Sequence, residues 1–204
     1  MKKLIISIGS AILLALLAII GLNIYSGRGP RERVKAPDGS KVVTEELSYY
    51  VQGKKVFGKL FRPDDSDASK KPLVIYFHEP LKTGYPETVL KTLVTEGLVG
   101  YATGFRGKDK DAVTIVKRLS KEEFAEKDMV FLISDAFCAD EVIVAASRLG
   151  HRIQGLVLIE PNPKGKAREI YQAYGREFLT VSSSQKGNAV SLIEDYLEER
   201  GALK

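Results

Sequence analysis

Cysteine is almost absent from this chain: 204 residues hold one cysteine and two histidines. A lone Cys138 excludes an internal disulfide and leaves the redox compartment unspecified. His78 and His151 are far apart in sequence, so neither a Cys pair nor a His/Cys cluster exists for structural zinc. No metal and no cofactor is implied. An excess of one charge is also lacking. The net charge is only +5, and part of it comes from Arg28, Arg31, Arg33, Lys35 and Lys41 near the amino end rather than from a basic face. No nucleic-acid-binding motif accompanies it, so nucleic acid is not an expected partner. Internal repeats and low-complexity tracts are missing too. What is present is 44% apolar content, enough for one ordinary domain with a core.

The one long apolar run opens the chain. Met1-Lys2-Lys3 precedes Leu4 to Tyr25, 22 residues without a charge. As a helix this run spans about 30 Å, enough to cross a bilayer. It exceeds the apolar region of a secretory signal, about 7–15 residues, and Ile24-Tyr25-Ser26 is a poor cleavage site. An uncleaved signal-anchor is therefore expected over residues 1–26, giving a single-pass membrane protein. Lys2 and Lys3 favour a cytoplasmic amino end and an extracytoplasmic domain. The basic residues after the span pull the other way, and the competing reading is a cytoplasmic domain whose basic collar lies on anionic lipid. With its only cysteine far downstream, the chain has no amino-terminal Cys for lipid attachment.

Residues 27–41, rich in Gly, Pro and Arg, read as a linker from membrane to domain, and residues 42–204 as the domain itself. Val43–Gln52 and Lys55–Phe61 read as a hairpin around Gln52-Gly53-Lys54. Pro72–His78 (PLVIYFH) is a continuous apolar run, as expected of a parallel strand covered on both faces. From there helices and strands alternate. Helices are expected over Glu87–Glu96, Asp111–Leu119, Asp140–Leu149, Ala167–Tyr174 and Ala189–Arg200, with Glu122–Lys127 extending or following the second. Strands are expected over Leu98–Phe105, Met129–Ser134, Leu156–Ile159 and Phe178–Ser182. The fold class is α/β: a mostly parallel, doubly wound sheet of about seven strands with an amino-terminal antiparallel hairpin, preceded by one transmembrane helix.

Four landmarks, in order, resemble the α/β-hydrolase fold of the serine aminopeptidase, esterase and dienelactone-hydrolase kind. They are Gly58-Lys59-Leu60-Phe61-Arg62-Pro63, the strand ending in His78-Glu79, Gly97 to Gly107, and Gly155-Leu156-Val157-Leu158-Ile159-Glu160-Pro161. Between the last two lies Ser134-Asp135-Ala136-Phe137-Cys138, where the family carries G-x-S-x-G with a serine nucleophile at a strained apex. Gly155 follows Ala136 by 19 residues, close to the family's spacing of roughly twenty, so Ala136 is the apex. Shifting the register by one would put an acid, Asp135, there. It would also put Phe137 where a small residue is needed.

Under that resemblance each catalytic position departs from the pattern. Ala136 offers no nucleophile. Glu79 and Pro80 follow His78 where a Gly and a backbone donor are usual, and Pro80 has no N–H to polarise a carbonyl. Ser183-Ser184-Gln185-Lys186-Gly187 supplies no acid. The catalytic histidine would follow a further strand after Ala189–Arg200, and neither His78 nor His151 stands in its place. Candidate substitutes are Cys138, Ser134 and Asp135. Each also has a structural role open to it: Cys138 as a small buried residue, Asp135 as a helix cap, and His78 as a partner of neighbouring backbone. Arg106-Gly107 reads as a turn and Lys108–Asp111 as a solvated loop.

The resulting expectation is a membrane-anchored pseudoenzyme without the Ser-Asp-His triad. It would bind a protein partner or a small apolar ligand in a remnant cleft around His78, Glu79, Ala136 and Phe137. The alternative is an ester or peptide hydrolase using a non-standard nucleophile.

Overall fold

The computed structural model describes residues 26–64, 69–105, 107–174 and 177–203. The expected membrane span, Leu4 to Tyr25, lies outside the described residues. Among them no helix is long and apolar enough to cross a membrane.

The strands are β1 (Ser26–Lys35), β2 (Lys41–Val51), β3 (Lys54–Pro63), β4 (Lys71–His78), β5 (Val99–Gly104), β6 (Ala125–Ser134), β7 (Gly155–Ile159) and β8 (Leu179–Val181). The helices are α1 (Gly84–Thr95), α2 (Asp109–Leu119), α3 (Ala139–Leu149), α4 (Gly165–Tyr174) and α5 (Ala189–Glu199). All described strands join one sheet in the order β1-β2-β3-β5-β4-β6-β7-β8. The first three run antiparallel and β5 to β8 follow β4 in parallel.

The sheet thus has eight strands, not about seven. The additional one is β1, which occupies much of the stretch expected to be a linker. Its pairing with β2 from Arg31↔Glu45 to Lys35↔Lys41 is secured by ion pairs that no local pattern announces. Glu45 is 3% exposed, and Arg31 Nε and Arg62 Nη2 each approach it to 3.3 Å. Arg28 pairs with Glu122 at 2.9 Å and Arg33 with Asp64 at 3.0 Å. Three arginines of the expected basic collar are therefore engaged by carboxylates of the domain.

Alternation along the parallel strands builds two cores. Leu73, Ile75 and Phe77 of β4 pack with α2 and α3 on one face, and Val74 and Tyr76 pack with α1 and α5 on the other. Because both faces are covered, PLVIYFH has no polar alternation to show. Each such side chain contributes roughly 1.5–3 kcal/mol by leaving water.

Two local expectations are corrected. Glu122–Lys127 is not helical. Ala125 opens β6, and the register with β4 jumps from Lys71↔Ala125 to Leu73↔Val130 around Asp128, whose φ is +65°. Lys108–Asp111 is not a loop but the start of α2. There the Asp111 carboxylate accepts the Lys108 N–H at 2.9 Å, closing the first turn.

Candidate functional site

The parallel strands β4, β5 and β6 end together, with Phe77 beside Ser134 and His78 beside Gly104. The turn after β6 leads into α3 and holds Ala136 and Phe137 at the surface, while Cys138 is buried. The backbone here is relaxed. Non-glycine residues with positive φ among those described are Gln52, Leu81, Asp128 and Glu160, and Ala136 is not one of them. The turn closes by a simple bond from the Cys138 N–H to the Asp135 carbonyl at 3.2 Å. The strain that lifts a nucleophile out of such a turn is absent.

Asp135 organises the site. Its Oδ1 accepts the N–H groups of Phe137 at 3.0 Å and Cys138 at 3.2 Å. Its Oδ2 accepts the Glu79 N–H at 2.8 Å. The expected capping of the helix by Asp135 is corrected: α3 begins at Ala139 with Cys138 at its N-cap, and Asp135 instead closes the turn before it and ties that turn to the loop after β4. Those donors matter chemically. In the α/β-hydrolase arrangement the oxyanion is held by the N–H after the apex and an N–H of the loop following the preceding strand. Under the resemblance the Phe137 and Glu79 N–H groups would correspond, and a side-chain carboxylate rests on both.

The other candidates are equally committed. His78 is 3% exposed, and its Nδ1 donates to the Glu79 carbonyl at 2.8 Å. Ser134 is buried and its Oγ donates to the Asp135 carbonyl at 3.0 Å. Cys138 is 1% exposed with its Sγ directed at the Phe105 carbonyl. Burial, reinforced by the Asp135 charge, pushes this thiol well above the usual cysteine range. The sign is opposite to that of a nucleophilic cysteine. In the folded protein Cys138 should therefore resist a maleimide through mildly alkaline pH and react only on denaturation. Mass spectrometry reads this directly, and rapid native labelling would contradict it.

His151 lies exposed in the short 3₁₀ turn Gly150–Arg152 at the carboxyl end of α3, away from the elbow. Sequence reasoning passed over Glu160, which follows β7. Its φ is +51°, and its carboxylate meets Lys186 Nζ at 3.3 Å. Hydrogen bonds from Ser183 and then Lys186 hold this carboxyl below its ordinary range. It clamps β7 to the 3₁₀ segment Ser183–Asn188 instead of facing a histidine. Among the described residues no group of three or more His, Cys, Asp or Glu could hold a metal ion.

A groove of about 1300 Å³ opens beside the elbow, toward β3. Gly27, Lys55, Phe57, His78, Pro80 and Leu81 are among its walls. Of the four residues expected to line a cleft, His78 borders this groove, Glu79 is half-buried outside its walls, and Ala136 and Phe137 face solvent.

No protein-family model and no curated protein sequence matches this chain. Solved structures do. The esterase Est1E from Butyrivibrio proteoclasticus aligns with a TM-score of 0.62 at 12% identity, over 77% of this chain and 99% of that one. A cold-adapted esterase from an Arctic intertidal metagenomic library gives 0.61 at 17% identity, over 86% and 98%. Esterase Est22 gives 0.53 at 18% identity over 80% of this chain, which spans only 57% of Est22. At such identities the likeness is one of fold, and the fold is that of the α/β hydrolases.

Proposed function

We propose that this chain uses an α/β-hydrolase fold for binding rather than for hydrolysis, as a pseudoenzyme held at a membrane by residues 4–25 with its domain on the extracytoplasmic side. The observation that carries the reading is the Asp135 carboxylate on the Phe137 and Glu79 N–H groups. A tetrahedral oxyanion stabilised by those donors would have to displace a fixed negative charge, and the two anions would repel each other. Ala136 adds the lack of a nucleophile. The bonded Ser134, the buried Cys138 and the backbone-bonded His78 add the lack of a substitute pair within reach. The groove beside β3, whose walls mix apolar residues with five basic and three acidic ones, is the binding surface this reading uses, and a small amphiphilic ligand suits it.

A fluorophosphonate probe and a panel of short and long acyl esters test the proposal on the full-length protein. No covalent adduct and no turnover above the uncatalysed rate are expected. An adduct or turnover that disappears in Cys138→Ala, Ser134→Ala or Asp135→Asn would establish a hydrolase with a non-standard nucleophile instead.

A further inference from the structure

We infer that the rim bearing the elbow lies against the bilayer, with Phe57, Leu81 and Phe137 entering an anionic lipid surface. The inference rests on reading residues 4–25 as a membrane anchor and adds which face of the domain that anchor presents.

Connectivity comes first. The apolar run ends at Tyr25 and β1 begins at Ser26 with no residue between them. One residue covers at most about 3.6 Å of extended chain, so Gly27 stays within about 10 Å of the end of the run. In the sheet Gly27 pairs with Ser48, which pairs with Phe57. The next residue, Gly58, pairs with Thr103, and Thr103 with Phe77 at the end of β4. The chain therefore enters the domain at the same sheet edge from which the elbow projects. Gly27, Phe57, Pro80 and Leu81 share the walls of one groove, so they are neighbours in space as well as in register. Asp135 bonds the Phe137 turn to the loop that begins at Glu79.

Exposure is the second observation. The large apolar side chains standing out among the described residues are Leu81 at 92%, Phe57 at 63%, Tyr174 at 54% and Phe137 at 52%. Three of these four lie on this rim, and Tyr174 ends α4. Leu81 is unfavourable twice over. The Lys82 N–H reaches the Glu79 carbonyl at 3.1 Å across Pro80 and Leu81. Leu81 takes φ +79° in that turn, the position where type II turns call for glycine. A branched residue in left-handed backbone costs roughly 1–2 kcal/mol. Packing of the side chain against the described residues does not repay it, because the side chain is 92% exposed. Contact with the boundary between headgroups and acyl chains would.

Charge is the third. On the rim, Glu79 is engaged by Lys82 and Asp135 by backbone N–H groups, while Glu46 in the groove wall stands exposed. Lys54, Lys55 and Lys108 are exposed, and Lys55 Nζ lies 5.0 Å from the centre of the Phe57 ring. Such lysines contribute about 1 kcal/mol each beside an anionic leaflet, and an aromatic beside them suits the interface.

The test uses the full chain in vesicles of equal parts phosphatidylcholine and phosphatidylglycerol. A fluorophore is attached at Phe57→Cys, Leu81→Cys, Phe137→Cys or Tyr174→Cys, with the chain lacking an introduced cysteine as blank. Flotation and quenching by a nitroxide on the lipid chain are measured. The protein should float, and the first three labels should be quenched severalfold more than the label at 174. Leu81→Gly, combined with the label at 57, should lose much of that quenching while the melting temperature holds or rises. That outcome separates lost docking from lost folding. Equal quenching at all four sites in floating protein would overturn the apposition and leave the anchor standing. Protein that does not float would overturn both.

Discussion

Gly58→Ala is expected to destabilise the domain by about 3 kcal/mol, at the upper end of what overpacking a core usually costs. For a domain of this size that corresponds to a fall of roughly 6–12 °C in melting temperature. A Cβ on Gly58 would stand 2.2 Å from Tyr101 Cζ and Oη and 2.6 Å from the Ala102 carbonyl oxygen. None of these atoms has room to yield. Tyr101 is fully buried, its hydroxyl donates to the Leu47 carbonyl at 3.1 Å, and its ring meets Tyr49 edge-on at 6.2 Å. The Ala102 oxygen belongs to the strand paired with β3. Gly58 has no positive φ, so the penalty is steric and not conformational. Removing the Tyr101 hydroxyl in a Gly58→Ala/Tyr101→Phe double variant should recover only part of the loss, because the ring carbon still clashes. Thermal melts of the two variants decide it. A Gly58→Ala protein melting within a degree or two of the parent would contradict the packing described.

Asp135→Ala should cost about 2–3 kcal/mol, since it removes an ionised acceptor serving three N–H groups. The loss should be local before it is global. The turn of residues 135–138 and the loop after His78 are joined through this carboxylate, so their amides should exchange with solvent faster than those of β4 and β6. Asp135→Asn discriminates further. Its amide oxygen can still accept from Phe137 and Cys138, whereas its NH₂ would face the Glu79 N–H donor to donor. Exchange should then rise at Glu79 while Phe137 and Cys138 stay protected. Uniform exchange across the three amides would show that the carboxylate does not bridge the two segments. Hydrolytic activity should not appear in either variant, because opening the donors supplies no nucleophile.

Much of the fold was legible because its signals are local. PLVIYFH announced a doubly covered strand, Gly97 and Gly150 marked helix ends, and Gln52-Gly53-Lys54 marked a hairpin, which the structure narrows to the two-residue turn Gln52-Gly53. Both turn residues take positive φ, and Val51 pairs with Lys54. What stayed illegible depended on partners distant in sequence. β1 looked like a linker because Gly, Pro and Arg carry no strand pattern, and its registry comes from Glu45, Glu122 and Asp64. Glu122–Lys127 looked helical by composition, yet Ala125 is drawn into pairing with Lys71. For the candidate site, although Cys138 takes the N-cap position and Asp135 closes the preceding turn, Asp135 was legible as a local acceptor before a helix. Its reach to the Glu79 amide was not, because 56 residues separate them.

The sequence by itself determined the class of fold and the alanine at position 136 of the turn after β6. Apolar runs, glycine stops and the identity of Ala136 are properties of single positions and short windows. Only the tertiary structure decided the rest. It placed a carboxylate on both backbone donors, put the groove toward β3 instead of over Ala136, and brought the entry of β1 to the rim of the elbow. Those facts depend on strand order and register across the sheet, which long-range pairing sets and no local window contains.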